Sequence, residues 1–94
     1  MEQSKNYQLE NEEVIVKIAS IGAELKSFQT KNKIEYIWNA NPKYWSFSAP
    51  FLFPIVGTLR DKKTIIDNKE YFIKQHGLLR HQKFLVVKHT SDYI

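Results

Sequence analysis

The sequence predicts an all-β protein built from antiparallel strands. Short segments of alternating apolar and polar residues recur along its 94 residues, separated by turn-forming residues. No segment shows a sustained helical period of 3.6 residues. The clearest single signal is a hairpin, in which two β-rich segments flank Asp67-Asn68-Lys69. Asp and Asn tolerate the left-handed backbone that tight hairpin turns require.

The first two strands are predicted near the N-terminus. We expect residues 1–6 to be frayed and residues 7–10 to form a short strand that ends at the turn-prone Asn11. Residues 14–19 are rich in β-branched side chains, which favour strands. Their apolar members alternate with Lys17, so this strand is expected to be half-buried, with one face formed by Val14, Val16 and Ile18.

A meander of three antiparallel strands is predicted over residues 14–38. The second of these strands begins at Ala23 and alternates until Phe28, which breaks the pattern by one position. Such a break predicts a β-bulge or a change of face. After a polar turn, the alternation returns in the third strand, whose apolar positions are Ile34, Tyr36 and Trp38.

The second half of the chain predicts an irregular passage, the hairpin and a last strand. Residues 51–56 are apolar but carry or adjoin prolines, which cannot donate a ladder hydrogen bond, so an edge or irregular path is expected. Residues 64–66 and 70–73 form the arms of the hairpin. Residues 84–88 are predicted to be one more strand. A sheet of this size would leave apolar faces and strand edges exposed.

Composition excludes several classes of protein. The chain has no cysteine, so it forms no disulfide and no thiolate metal site. Its net charge of +4 comes from lysines interleaved with carboxylates, which disfavours nucleic-acid binding. No apolar run approaches the roughly 20 residues of a membrane span, and the N-terminus lacks the apolar stretch of a secretory signal. We therefore expect no nucleic-acid or membrane partner and a cytoplasmic location.

The candidate binding residues lie between positions 49 and 80. This stretch holds both arginines of the chain, Arg60 and Arg80, and the step His76-Gly77. An imidazole can exchange a proton with a sugar oxygen near neutral pH, and a guanidinium suits vicinal hydroxyls, carboxylate or phosphate. The alternatives remain open: a loop histidine with its hydrogen bonds satisfied, a surface Arg80 paired with a carboxylate such as Asp61, and a charged turn at Arg60-Asp61. The three histidines have no metal-site spacing, and no metal is expected.

The stretch and its surroundings resemble the aldose 1-epimerase (galactose mutarotase) family. The resemblance extends from about residue 9 to residue 84. It is carried by Gly22-Ala23-Glu24-Leu25-Lys26-Ser27-Phe28, Ala49-Pro50-Phe51-Leu52-Phe53-Pro54-Ile55-Val56-Gly57, Asp67-Asn68-Lys69-Glu70-Tyr71 and His76-Gly77-Leu78-Leu79-Arg80.

The resemblance implies a fold and a reaction. Members of the family are large antiparallel β-sandwiches (supersandwiches) that interconvert the α and β anomers of free hexoses without a cofactor or metal. A glutamate is the general base on the anomeric hydroxyl, and a histidine is the general acid on the ring oxygen. A further histidine, in a His-Gly step, binds and polarises the sugar, and His76 stands at that position. Arg80 and Arg60 are the expected contacts to sugar hydroxyls or to a sugar phosphate.

The sequence departs from the family pattern in three places. Many members have arginine directly after the position of Gly57, where this chain has Thr58, and Arg60 is the nearest arginine. The common hairpin glycine is replaced by Asn68. The general acid and general base of the family lie beyond Ile94.

Residues 1–94 are therefore expected to be the N-terminal segment of a single epimerase-like domain. The isolated chain is predicted to be inactive and to self-associate. The alternative function is a non-catalytic carbohydrate-binding module on the same scaffold.

Overall fold

The computed structural model describes residues 3–94 as two antiparallel sheets joined by irregular segments. The first sheet has the order β1-β2-β3, and the second is a two-stranded hairpin, β4-β5. The strands are β1 Asn6–Glu10, β2 Val14–Ala19, β3 Glu24–Thr30, β4 Lys63–Ile66 and β5 Lys69–Phe72. Two single 3-10 turns, Arg60–Lys62 and Leu79–His81, complete the regular structure of the described residues, which contain no α-helix. The predicted all-β, antiparallel class is confirmed.

The N-terminal end is paired closer to the terminus than predicted. Residues 1 and 2 lie outside the described residues, but the Lys5 N–H donates to Ser20 Oγ at 2.9 Å and the Lys5 carbonyl accepts from the Ser20 N–H at 2.8 Å. The turn at Asn11 is confirmed. Its Oδ1 accepts the N–H groups of Glu13 and Val14 at 2.8 and 2.9 Å, which starts β2.

A bulge in β3 gives the first sheet one apolar face. Lys17 pairs with Ser27 and Ile18 pairs with Leu25, so Lys26 is the extra residue. This insertion causes the break in alternation at Phe28, because it brings residues 25 and 28 onto the same face. Directly opposed residues of the paired strands share a face, and the apolar face is formed by Tyr7, Leu9, Val14, Val16, Ile18, Leu25 and Phe28.

The predicted third strand of the meander is wrong, since residues 34–38 form only one bridge, between Gln29 and Glu35. The Tyr36 N–H donates to the Phe28 carbonyl at 3.0 Å, as in a ladder. The second hydrogen bond of this ladder pair would run from the Phe28 N–H to the Tyr36 carbonyl. It is missing because the Phe28 N–H donates instead to the Glu35 carboxylate at 2.9 Å. A side chain therefore replaces the backbone acceptor that would have extended the sheet.

The predicted strand at residues 84–88 is also wrong. The Phe84 N–H donates to the Ser20 carbonyl at 2.8 Å, and one bridge joins Ile21 to Lys83, but no described strand pairs with the residues that follow. Leu85 and Val87 are 81% and 98% exposed. Residues 84–88 have a composition that favours a strand, but no described strand lies beside them to complete a hydrogen-bond ladder.

The remaining predictions for the second half are confirmed. Residues 51–56 follow an irregular path, and their contact with other backbone in the described chain includes one parallel bridge, between Phe53 and Gly77. The hairpin turns at Asp67 and Asn68, whose φ angles are 50° and 63°. Two consecutive left-handed residues match the right-handed twist of the flanking strands.

The described residues enclose almost no core. Ala19 is the one hydrophobic residue among them that is buried, and twenty large hydrophobic side chains are exposed. The radius of gyration is 16.3 Å, whereas a compact domain of this length would have about 12 Å. Of the seven residues on the apolar face of the first sheet, six are half-buried and Phe28 is 37% exposed, so none is fully covered. Within residues 3–94, no helix is long and apolar enough to cross a membrane.

Candidate functional site

His76 lies where the segment leaving the hairpin crosses the segment that contains Gly57. The two residues exchange a pair of hydrogen bonds. The Gly57 N–H donates to His76 Nδ1 at 2.9 Å, and the His76 N–H donates to the Gly57 carbonyl at 2.9 Å. The histidine is half-buried and has a left-handed backbone, with φ of 63°. The imidazole is therefore held against the backbone rather than free in a loop.

The position after His76 requires glycine because two backbone segments approach each other closely there. A Cβ at this position would lie 2.1 Å from the Phe53 carbonyl oxygen, and φ is +82°. The same oxygen accepts the N–H groups of Leu78 and Leu79 at 2.8 and 3.2 Å, and the Phe53 N–H donates to the His76 carbonyl at 3.2 Å. Only glycine permits this approach of two backbones, which fixes the position of His76.

Arg80 lies in the 3-10 turn that follows and is held by three different contacts. Its Nη2 donates to the Gln75 carbonyl at 3.0 Å, and its guanidinium carbon lies 4.7 Å from the centre of the Phe47 ring. A Cβ on Gly22 would lie 2.7 Å from the Arg80 carbonyl oxygen. Arg80 is thus attached to the residue before His76 and to the sheet, and it is not paired with Asp61.

Arg60 is not brought to either residue by any hydrogen bond or ion pair within the described chain. It is exposed at the start of the Arg60–Lys62 turn, immediately before β4. Thr58 is exposed as well. The structure therefore separates the predicted binding residues into a fixed group, His76 and Arg80, and a surface arginine.

Glu24 is a polar residue of this region that the sequence did not single out. It is 6% exposed at the start of β3, and its Oε2 accepts the N–H groups of Ser48 and Ala49 at 2.5 and 3.1 Å. Lys26 Nζ lies 3.5 Å from the same oxygen. The only available signal was an acidic residue next to the glycine turn. Its backbone donors, Ser48 and Ala49, lie more than twenty residues away, beyond the range of local patterns.

Glu24 and Arg80 line one cleft, which His76 does not line. Phe47 and His81 also line it, and these two rings lie 6.1 Å apart at 74°. Two buried polar atoms here, Arg80 Nε and Ser48 Oγ, have no hydrogen-bond partner in residues 3–94. Unpaired buried polar atoms are rare in complete folds. One face of the Phe47 ring in this cleft is occupied by the Arg80 guanidinium.

The described residues place a fixed imidazole and a fixed guanidinium close together in sequence, but not in one cleft. An imidazole and a guanidinium lie on neighbouring segments, both fixed through backbone contacts. No three metal-ligating side chains come together within the part of the chain that the structure describes.

Sequence comparison matches the chain to a known family. The family described as Aldose 1-epimerase matches residues 5–94. Protein LacX of Lactococcus lactis subsp. lactis, in its plasmid form, is 39% identical over 82% of this chain. The chromosomal form is 38% identical over the same share. The chain spans 27% of the length of each of these two relatives.

Two solved structures superpose on the chain with a TM-score of 0.88 each. A galactose mutarotase related enzyme from Lactobacillus acidophilus is 39% identical, and the match covers 93% of this chain and 29% of that protein. A galactose mutarotase-like protein from Lactobacillus casei ATCC 334 is 32% identical, with 93% and 30% covered. The predicted kinship with the galactose mutarotase-like fold is confirmed.

Proposed function

Because the chain belongs to the aldose 1-epimerase family, we propose that it forms part of the sugar site of an enzyme that interconverts the α and β anomers of a hexose or sugar phosphate. The chain spans less than a third of the matched proteins. The activity is therefore proposed for a longer protein in which these residues are the N-terminal segment. The general acid and general base of the reaction belong to the remainder.

The observation that carries the proposal is the fixed His76-Gly77 step. His76 is held by two hydrogen bonds to Gly57, and Gly77 packs against the Phe53 carbonyl with no space for a side chain. A donor to a sugar oxygen is effective when it is already in place before charge develops on that oxygen. In this role His76 binds and polarises the sugar and does not replace the general acid.

Arg80 and Arg60 take different roles in the proposal. Arg80 is anchored by the Gln75 carbonyl and by Phe47, which supports a fixed contact to a sugar hydroxyl from its remaining N–H groups. Arg60 is exposed and its side chain makes no hydrogen bond or ion pair within residues 3–94, so it suits an anionic substituent such as a sugar phosphate. The small-molecule partner is a sugar in either case.

The test is anomer exchange by the full-length protein and two histidine variants. We expect His76→Ala to lower the enzyme-catalysed exchange rate of glucose or galactose anomers at least tenfold, since a preorganised donor contributes on the order of 10²-fold or more. His89→Ala is the control and should change the rate little, because His89 contacts the Gln8 carbonyl and does not line the cleft that contains Arg80. Exchange is measured by magnetisation-transfer NMR. An unchanged rate in folded His76→Ala would refute the assignment.

A further inference from the structure

We infer that the backbone N–H of Gly57 is a positioning group that sets the tautomer of His76, so that Nε2 carries the imidazole proton. Its consequence for sugar chemistry rests on the proposed function. The tautomer itself is a property of the folded protein and can be tested without any sugar.

The direction of the hydrogen bond decides the tautomer. A backbone N–H can only donate, so the Nδ1 atom that lies 2.9 Å from the Gly57 nitrogen must present its lone pair. A neutral imidazole has one N–H, which must then be on Nε2. The second bond, from the His76 N–H to the Gly57 carbonyl at 2.9 Å, keeps the two residues in register.

The left-handed backbone at both residues makes this reciprocal pair possible. Gly57 has φ of +81°, and a Cβ at this position would meet no atom within 4 Å. The left-handed conformation at position 57, and not a lack of space, therefore favours glycine there. His76, with φ of 63°, turns its ring back toward the same peptide.

The other ring nitrogen makes no hydrogen bond within the described chain. His76 Nε2 has no hydrogen-bond partner among residues 3–94, although the residue is half-buried. With its proton on Nε2, the ring can only donate from that side. It would donate to a sugar oxygen and polarise it without transferring the proton, while Gly57 holds the ring from the other side.

The direct test is ¹⁵N NMR of the imidazoles in the full-length protein at a pH where His76 is neutral. We expect His76 to show a protonated Nε2 and an unprotonated Nδ1, with a scalar coupling between Nδ1 and the Gly57 amide nitrogen. His81, whose ring nitrogens have no partner in residues 3–94, is the internal control and should exchange between tautomers. A proton on His76 Nδ1, or a mixture like that of His81, would overturn the inference.

Two substitutions at Gly57 connect the tautomer to function. Gly57→Ala disfavours the left-handed backbone and should weaken the coupling and lower kcat for anomer exchange roughly tenfold. Asparagine tolerates the left-handed backbone, so Gly57→Asn should retain both the coupling and the kcat. Loss of rate in Gly57→Ala with an unaltered His76 tautomer and coupling would overturn the positioning role. A wild-type protein with the expected tautomer but no exchange activity would refute the proposed function alone.

Discussion

Gly77 and Gly57 share a left-handed backbone but differ in their surroundings. An added Cβ would lie 2.1 Å from the Phe53 carbonyl at Gly77 and would meet no atom within 4 Å at Gly57. The first position excludes a side chain by contact and by conformation, the second by conformation alone. Substitutions at the two glycines can therefore distinguish the free-energy cost of backbone strain from the free-energy cost of a steric clash.

Alanine substitutions should reveal that difference in stability. Gly57→Ala should lower the free energy of unfolding by about 1 to 2 kcal/mol, the cost of a left-handed alanine. Gly77→Ala adds a clash with backbone and should lower it by about 2 to 5 kcal/mol. Urea unfolding of the two full-length variants measures both values. Equal losses would show that residues 53 and 77 are not in contact.

At the scale of single residues, the sequence singled out His76 and Arg80 as candidate binding residues, and their role in binding a sugar stays a prediction. His76 and Arg80 were predicted from residue type and from family resemblance, and both are anchored. Glu24 was missed because its burial depends on the N–H groups of Ser48 and Ala49, more than twenty positions later. The spacing of neighbouring residues in the sequence does not indicate a contact over this distance along the chain.

At the scale of elements, the Glu35 carboxylate reinforces the backbone hydrogen bonds that attach the segment 34–37 to β3. Glu35 accepts the Ser27 hydroxyl, the Phe28 N–H at 2.9 Å and the Ile37 N–H at 3.1 Å. These hydrogen bonds, the one from Ser27 first, hold the pKa of Glu35 below its usual value. A lowered pKa means that the carboxylate stabilises the fold above the ordinary carboxyl pKa, and that this stabilisation is lost as pH falls through the lowered pKa.

Removing the Ser27 hydroxyl should reverse part of the lowering of the Glu35 pKa. In Ser27→Ala we expect the pKa of Glu35 to rise toward its ordinary value, because the strongest hydrogen bond to the ionised form is gone. The pKa of Glu10, which Lys31 holds low through a separate ion pair, should stay unchanged. Carboxyl ¹³C NMR titration measures both groups in one sample. A shift at Glu10 but not at Glu35 would contradict the account.

The strands that the sequence predicted correctly are those with a local signal. Alternation and turn residues identified β1, β2, most of β3 and the hairpin, and the break at Phe28 indicated the bulge two residues away at Lys26. Residues 34–38 and 84–88 have the same composition without becoming strands. In the first case a carboxylate takes the ladder N–H, and in the second no described strand lies alongside. Pairing partners, not propensity, decided both.

At the scale of the whole molecule, we expect the incompletely covered apolar surface to govern the behaviour of the isolated chain, because twenty large hydrophobic side chains of the described residues are exposed. Exposed apolar faces and unpaired edges favour association between copies. We predict that the 94-residue chain, at 11.1 kDa, sediments above its monomer mass. Leu9→Lys places a charge on the apolar face and should reduce the association. Gln8→Lys, on the opposite face, should not.

Analytical ultracentrifugation of the three chains distinguishes the outcomes. Equal sedimentation of Leu9→Lys and Gln8→Lys would mean that the apolar face is not the contact surface. A monomeric parent chain with well-dispersed amide resonances would contradict the prediction altogether.

The most direct test of the central claim is anomer exchange by the full-length wild-type protein, measured by NMR together with sugar binding. The account predicts that the protein accelerates exchange between α and β anomers of a hexose or sugar phosphate in proportion to its concentration, and that His76 resonances shift on binding. Binding without acceleration would contradict the isomerase and support a carbohydrate-binding module on the same scaffold.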